Sequence, residues 1–204
     1  MRETKQTGVS KQPVTGIILS GGKSARLDGL NKAFIEVRGE RLIERTIRIY
    51  RDLFSETLLV TNNPLEYLEF DVKIVTDIIP GKASLGGIYT GLFFATFEYA
   101  FVTACDMPFL NAEFIRSMTE KTGQHDIIVP RSADGIQPLH AIYSRKLLKP
   151  IRRLIDADHL KITELFKKSK VLEIPREEIL PFDPEERLFM NINTPKDLEK
   201  LDDK

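Results

Sequence analysis

The stretch GIILSGGKSARLDGLNK, residues 16–32, decides how this chain reads. It opens on the apolar run Gly16-Ile17-Ile18-Leu19, passes through Ser20 into the glycine pair Gly21-Gly22, and continues with cations at Lys23, Arg26 and Lys32. Gly22-Lys23-Ser24 ends like a Walker A loop, but that loop needs a glycine where this chain has Ile17, and Gly16 lies one place too early. A P-loop also opens straight into a helix, whereas Asp28-Gly29-Leu30-Asn31 interrupts any helix soon after Ser24. An apolar run ending in glycines is instead the pattern of a strand buried on both faces of a parallel sheet. A glycine pair beyond such a strand lets backbone N–H groups approach an anion unobstructed, and the cations that follow suit a triphosphate. Taken singly, the glycines also fit a tight turn and the cations a solvated surface.

Working outward, residues 41–53 place Leu42, Ile43, Thr46, Ile47, Ile49, Tyr50 and Leu53 among charges near a helical repeat. Residues 57–61 and 72–76 read as strands, the first closed by Asn62-Asn63-Pro64. Residues 77–85 contain Pro80 and Gly81 and read as a loop; residues 86–95 read as a helix whose glycines imply close approach by a neighbour. Residues 99–105 form a fourth strand, stopped by Asp106-Met107-Pro108-Phe109, and Asn111 caps a helix to about residue 120. Strands at 126–130 and 137–143 follow, then helices near 145–156 and 163–168, strands near 171–174 and 188–192, and a last helix from about Pro195.

Strands alternating with helices predict an α/β fold: one doubly wound, mostly parallel sheet with helices on both faces. The expected organisation is a single domain over residues 13–204, with residues 1–12 as a mobile tail. In such sheets ligands bind beyond the carboxyl ends of the strands, and Gly21-Gly22, Asn62-Asn63, Asp77 and Asp106 all fall at such ends.

Composition narrows the function classes. Thirty basic and thirty acidic side chains among 204 residues cancel, so no global field favours nucleic acid or an anionic membrane. Cys105 is the only cysteine, which excludes an intrachain disulfide framework and a cysteine-rich zinc site and fits a reducing cytoplasm. The first fifteen residues contain no apolar core of a signal peptide, and nowhere do eighteen apolar residues run together, so neither export nor membrane spanning is expected. His125, His140 and His159 lack metal-ligand spacing, and Ser20 lacks a nucleophile elbow. Asp106 follows an apolar strand, and Asn111 already serves as the next helix cap, so the carboxylate suits a hard cation. Mg²⁺ needs only one or two carboxylates when phosphate oxygens and water complete its shell.

Several separated segments resemble the molybdenum cofactor guanylyltransferase family. Leu19-Ser20-Gly21-Gly22-Lys23-Ser24-Ala25-Arg26-Leu27 is similar to its Leu-Ala-Gly-Gly-x-Ser-x-Arg-Met, with Ser20 for alanine and Leu27 for methionine. Leu85-Gly86-Gly87-Ile88 resembles the end of its Gly-Pro-Leu-Ala-Gly-Ile, with Ala83-Ser84 replacing Gly-Pro. Cys105-Asp106-Met107-Pro108, the run Gln137-Pro138-Leu139-His140-Ala141-Ile142-Tyr143 and Asn191-Ile192-Asn193-Thr194-Pro195 complete the match. The first motif is shared with sugar-nucleotide pyrophosphorylases and cytidylyltransferases; the last two are narrower.

The resemblance implies a Rossmann-like nucleotidyltransferase fold and transfer of GMP from Mg-GTP to the terminal phosphate of molybdopterin, releasing pyrophosphate. It implies that Leu19, Ser20 and Gly21 contact guanine with Gly22 in the same loop, that Lys32 serves the phosphates, that Asp77 contacts the nucleotide, and that Asp106 binds Mg²⁺. Lys32, Arg26 and Asp106 are then the catalytic set. A nucleotide-contacting asparagine corresponds to Asn62 or Asn63, or strict strand alignment puts Thr61 there. Gln137, Pro138, Asn191 and Asn193 fall on the acceptor side. Contacts with other cofactor-biosynthesis proteins or recipient enzymes are implied as well. The rival readings are cytidylyl transfer to molybdopterin, nucleotidyl transfer to a sugar or polyol phosphate, and a non-catalytic nucleotide-binding adaptor.

Overall fold

The apolar run before the glycine pair becomes strand β1 (Gln12–Leu19), in which Ile17 and Ile18 are fully buried. The computed structural model describes residues 11–21, 26–27, 30–194 and 197. β1 starts two residues before the expected apolar run, with Gln12 opposite Phe54, and so takes in the last residue of the segment expected as a tail.

After β1 come α1 (Leu42–Leu53), β2 (Phe54–Val60), β3 (Lys73–Val75), α2 (Ala83–Phe94), β4 (Tyr99–Ala104) and α3 (Ala112–Thr119). Then follow β5 (Ile127–Ser132), β6 (His140–Ser144), α4 (Leu148–Asp156), β7 (Val171–Ile174) and the single turn α5 (Arg176–Ile179). The sheet order is β3-β2-β1-β4-β6-β5, with β7 and the two-residue strand Gly135–Ile136 also on β5. β1 to β4 are mutually parallel, β6 runs antiparallel to both β4 and β5, and β7 is parallel to β5. The mostly parallel sheet of the expectation is therefore present, with one reversed strand inside it.

Alternation along β1 builds both layers, because successive side chains point to opposite faces. Ile18 packs with Ile43, Ile47 and Tyr50 of α1 and with Phe114 and Ile115 of α3. Ile17 packs with Leu85, Ile88 and Leu92 of α2 and Ile151 of α4. Complete burial of one such side chain contributes about 1.5–3 kcal/mol. The glycines of α2 answer a close approach: a Cβ at Gly91 would stand 2.6 Å from Ile17 Cδ1, and one at Gly87 would stand 3.1 Å from Leu19 Cδ2. Side chains there would lift the helix off β1 and away from the strand ends.

Four expectations need correction. β6 begins at His140 rather than residue 137, because Pro138 has no N–H and the Gln137 N–H is used in the hairpin, donating to Pro130 O at 2.9 Å. The helix expected near 163–168 is a 3₁₀ helix, Ile162–Lys168. α2 begins at Ala83, three residues early. No strand forms at 188–192: Leu188 N donates to Asp183 Oδ2 and Met190 N to Arg187 O, which are turn contacts. Leu188 and Ile192 are buried, and the every-second-residue spacing of Leu188, Met190 and Ile192 imitated a strand. Of the last expected helix, only Asp197 lies among the described residues, and it is helical.

Candidate functional site

Backbone pairing continues one residue past the central strands: Ser20 N donates to Val60 O at 2.9 Å and Cys105 N to Leu19 O at 3.0 Å. This holds the exits of β1, β2 and β4 side by side. Beyond β1, β2 and β3 lies a cavity of about 450 Å³. Leu19 and Gly21 line it from the β1 exit, Thr61 and Asn62 from the β2 exit, and Asp77 from the β3 exit. Gly81, Ala83 and Ser84 close it at the start of α2, whose unpaired N–H groups and dipole favour an anion. Ala83 holds φ +50°, a left-handed conformation that costs a non-glycine residue about 1–2 kcal/mol. The resembled motif has glycine at this position.

Asn62 and Asp77 form one polar wall. Asn62 Nδ2 donates to Asp77 Oδ2 at 2.9 Å, while Asp77 Oδ1 is buried without a hydrogen-bond partner. The Ile78 N–H donates to the buried Thr90 hydroxyl at 3.0 Å, which fixes the loop after Asp77 to α2. Among the three residues considered after β2, Asn62 has its side chain on this wall. Thr61 also lines the cavity, but its hydroxyl accepts from Asn63 N at 3.1 Å, and Asn63 precedes the 3₁₀ turn Pro64–Tyr67. Ser20 is buried and its hydroxyl is bonded to that of Tyr67, so its side chain is committed behind the cavity wall.

Lys32 and Asp106 meet next to this cavity's β1 edge. Lys32 starts a 3₁₀ turn, Lys32–Phe34, capped by Asn31, whose Oδ1 accepts from Ala33 N at 3.1 Å. Only 3% of the Lys32 side chain is exposed; its Nζ donates to Asn193 Oδ1 at 2.8 Å and lies 3.6 Å from Asp106 Oδ2. Asp106 Oδ1 is buried and has no hydrogen-bond partner. Burial pushes the Asp106 carboxyl above its ordinary value, against the opposing pull of Lys32. A buried carboxylate oxygen without a partner is costly, and a cation placed against it removes the cost. Among the described residues no group of three or more His, Cys, Asp or Glu assembles, so a cation here takes its other ligands from phosphate and water.

The segment 191–194 closes the site. Ile192 N donates to Asp106 O at 3.0 Å, and Asp197 Oδ2 accepts from Asn193 N, Thr194 N and the Thr194 hydroxyl. Asn193, expected on the acceptor side, is thus brought directly to Lys32. Asn191 is exposed on the same segment.

The reversed β6 places Gln137 and Pro138 at the same end of the sheet. His140 pairs with Thr103, so the residues before His140 stand near the carboxyl end of β4, which leads into Asp106. Both are held by the hairpin: Gln137 Nε2 donates to the Ser132 hydroxyl at 2.8 Å, and Pro138 O accepts from the Tyr143 hydroxyl at 2.6 Å. On this side a groove of about 330 Å³ is lined by Ser132, Asp134, Arg187, Phe189 and Met190, and the Arg187 guanidinium lies 4.0 Å from the Phe109 ring centre.

Gly22, Lys23 and Ser24 lie outside the described residues; the Arg26 backbone pairs with Asn31, immediately before Lys32. Sequence reasoning missed Tyr67, which carries no motif, and Asp197, which Thr194-x-x-Asp197 signals as a capping pair. Burial pushes the Cys105 thiol up to about 12 and the His140 imidazole down to about 3.

Residues 16–171 match the MobA-like NTP transferase domain. A molybdenum cofactor guanylyltransferase of Desulfosudis oleivorans is 38% identical over 190 residues, 93% of this chain and 94% of that protein. The crystal structure of molybdopterin-guanine dinucleotide biosynthesis protein A from Archaeoglobus fulgidus is similar at TM-score 0.78 and 29% identity, covering 92% of this chain and 96% of that one. The 2-C-methyl-D-erythritol 4-phosphate cytidylyltransferase of Thermus thermophilus shares the fold, with TM-score 0.67 and 17% identity over 92% of this chain and 96% of its own.

Proposed function

This chain belongs to the MobA-like NTP transferase family, and from that premise we propose that it transfers GMP from Mg-GTP to the terminal phosphate of molybdopterin. The observation that carries the reading is the Lys32–Asp106 pair, set beside a cavity of nucleotide size and retaining one buried carboxylate oxygen without a partner.

GTP enters with its base in the cavity. Asp77 Oδ1, already buried and without a partner, accepts from the donors on guanine's N1 and N2 edge, and the backbone at Leu19 and Gly21 covers the ring. Cytosine lacks that donor pair, so the wrong base leaves buried polar groups unpaired. The triphosphate then runs toward Lys32 and Asp106, across the β1 exit.

Asp106 would hold Mg²⁺ through Oδ1, and the bound cation supplies charge neutralisation and orientation at the α-phosphate. Lys32, fixed by Asn193, stabilises charge gathering on the α-phosphate and on the departing pyrophosphate; Arg26 on the same connection assists. An oxygen of the molybdopterin phosphate attacks the α-phosphorus. The bond from that phosphorus to the bridging oxygen breaks, and pyrophosphate leaves with the electron pair. No side chain need become covalently attached, so the residues act by positioning and electrostatics. The acceptor approaches from the β6–β5 side, past Gln137, Pro138 and Asn191, opposite the nucleotide cavity across β4. The reaction belongs to the cytoplasm, in keeping with a lone buried cysteine; no helix among the described residues is long and apolar enough to cross a membrane.

The test is incubation of the protein with Mg-GTP and molybdopterin. The guanine dinucleotide and pyrophosphate should form in equal amounts. Intact GTP, or GTP breakdown with no dinucleotide, would refute the reading.

A further inference from the structure

We infer that Tyr67 is a positioning residue that couples the nucleotide loop to Lys32. The inference rests on the assignment of Lys32 to the phosphates and adds how that lysine is held in register with the base cavity.

Tyr67 ends the 3₁₀ turn that follows Asn62-Asn63 and is fully buried, its ring 5.1 Å from that of Phe34 and 6.2 Å from that of Phe70. Its hydroxyl oxygen accepts from Asn31 Nδ2 at 2.7 Å and is also bonded to the Ser20 hydroxyl. The two hydroxyls share that bond, and either oxygen can supply the proton. Asn31 is then fully committed: its second amide hydrogen goes to Glu66 Oε2 at 2.6 Å, and its Oδ1 caps the turn that begins with Lys32.

One hydroxyl therefore ties three connections together. Ser20 belongs to the β1 exit beside Leu19 and Gly21, Asn31 to the Lys32 turn, and Tyr67 to the β2 exit that carries Asn62. A buried, satisfied network of this kind holds its members in one arrangement. Misplacement of a reacting group by about 1 Å costs on the order of 10²-fold in rate. Ser20 stands where the resembled motif has alanine, which offers no hydroxyl to Tyr67, so the bridge belongs to this chain's own sequence.

Packing alone would need only the ring. Tyr67→Phe keeps the ring and removes the bridge, and the measurement is the single-turnover rate of GMP transfer, with KM for GTP and thermal melting beside it. The rate should fall about ten-fold with KM for GTP little changed, since a shift of well under 1 Å suffices. In a Lys32→Ala background the same change should have no further effect, because the lysine it positions is gone. Ser20→Ala, which breaks the bridge from the other side without touching the aromatic cluster, should reproduce the loss and should not add to Tyr67→Phe. Equal losses with and without Lys32, or a wild-type rate in both hydroxyl variants, would make Tyr67 a packing residue only. Should Lys32→Ala itself turn over like wild type, the assignment of Lys32 falls, and this inference falls with it.

Discussion

Lys32 Nζ lies 3.6 Å from Asp106 Oδ2 in a site where the lysine side chain is almost wholly buried. The ammonium is shared between that carboxylate oxygen and Asn193 Oδ1, and the other carboxylate oxygen is left without a partner. The pair holds the lysine on one side of the carboxylate and leaves the buried Oδ1 unpaired, where the proposed site would seat a cation.

Asp106→Asn keeps the shape of the site and removes its charge. The variant should fold, and Mg²⁺-supported turnover should fall by about 10²-fold or more. Rates across a Mg²⁺ titration, with melting curves as the control for folding, make the check. A near-normal rate and Mg²⁺ dependence would take Asp106 out of the mechanism.

Lys32→Ala should cost about 10²- to 10³-fold in the single-turnover rate, the usual loss for one preorganised electrostatic contact. Lys23→Ala should cost far less, although Lys23 is the lysine beside the P-loop-like glycines. The reverse ranking would mean that the loop works in the other register.

Most of this geometry could be read from residue order, because the signals were local. An apolar run before Gly21-Gly22 gave β1, and Asn111 as a cap gave the start of α3, where its Oδ1 accepts from Glu113 N and Phe114 N. Asn62, Asp77 and Asp106 were placed by the rule that ligands gather at carboxyl ends of parallel strands. What stayed hidden depends on contacts far apart in the chain. Nothing around Asn193 announces that it receives a hydrogen bond from Lys32, and nothing around Tyr67 points to Ser20 and Asn31. The false strand at 188–192 had the opposite cause: apolar spacing satisfied by burial, Leu188 in the cluster of Ile43 and Phe114 and Ile192 in that of Val37 and Leu42.

Gly21→Ala tests the base site. A Cβ there would lie 3.9 Å from Asn62 Nδ2, an ordinary contact, so the variant should melt like wild type. The methyl group would lie toward Asn62 and narrow the cavity in which the base is proposed to sit. The preference for GTP over CTP should shrink by about ten-fold or more, within what a single pocket methyl can do. An unchanged preference would reject the role given to Gly21 and nothing else.

His140 should make the fold sensitive to acid. It is fully buried against Phe101, Phe114 and Phe189, and burial holds it near 3 against an ordinary 6.5. The unfolded chain takes up a proton below the ordinary value and the folded one does not. Its contribution is therefore intact above 6.5 and is lost as pH falls toward 3, by about 1.4 kcal/mol per pH unit. Denaturant melts of wild type and His140→Phe at several acidic pH values should diverge with that slope; parallel curves would show that His140 takes its proton inside the fold.

The most direct measurement of guanylyl transfer is kcat/KM for GTP and for CTP, each with Mg²⁺ and the same molybdopterin acceptor, with the dinucleotide product identified. In the proposed base site Asp77 Oδ1, buried without a partner beside Asn62, would accept from guanine's donor edge, so the wild-type protein should favour GTP by about 10²-fold or more and yield the guanine dinucleotide with pyrophosphate. A preference for CTP, or equal use of the two, would contradict the account of the base site and the guanylyltransferase reading together.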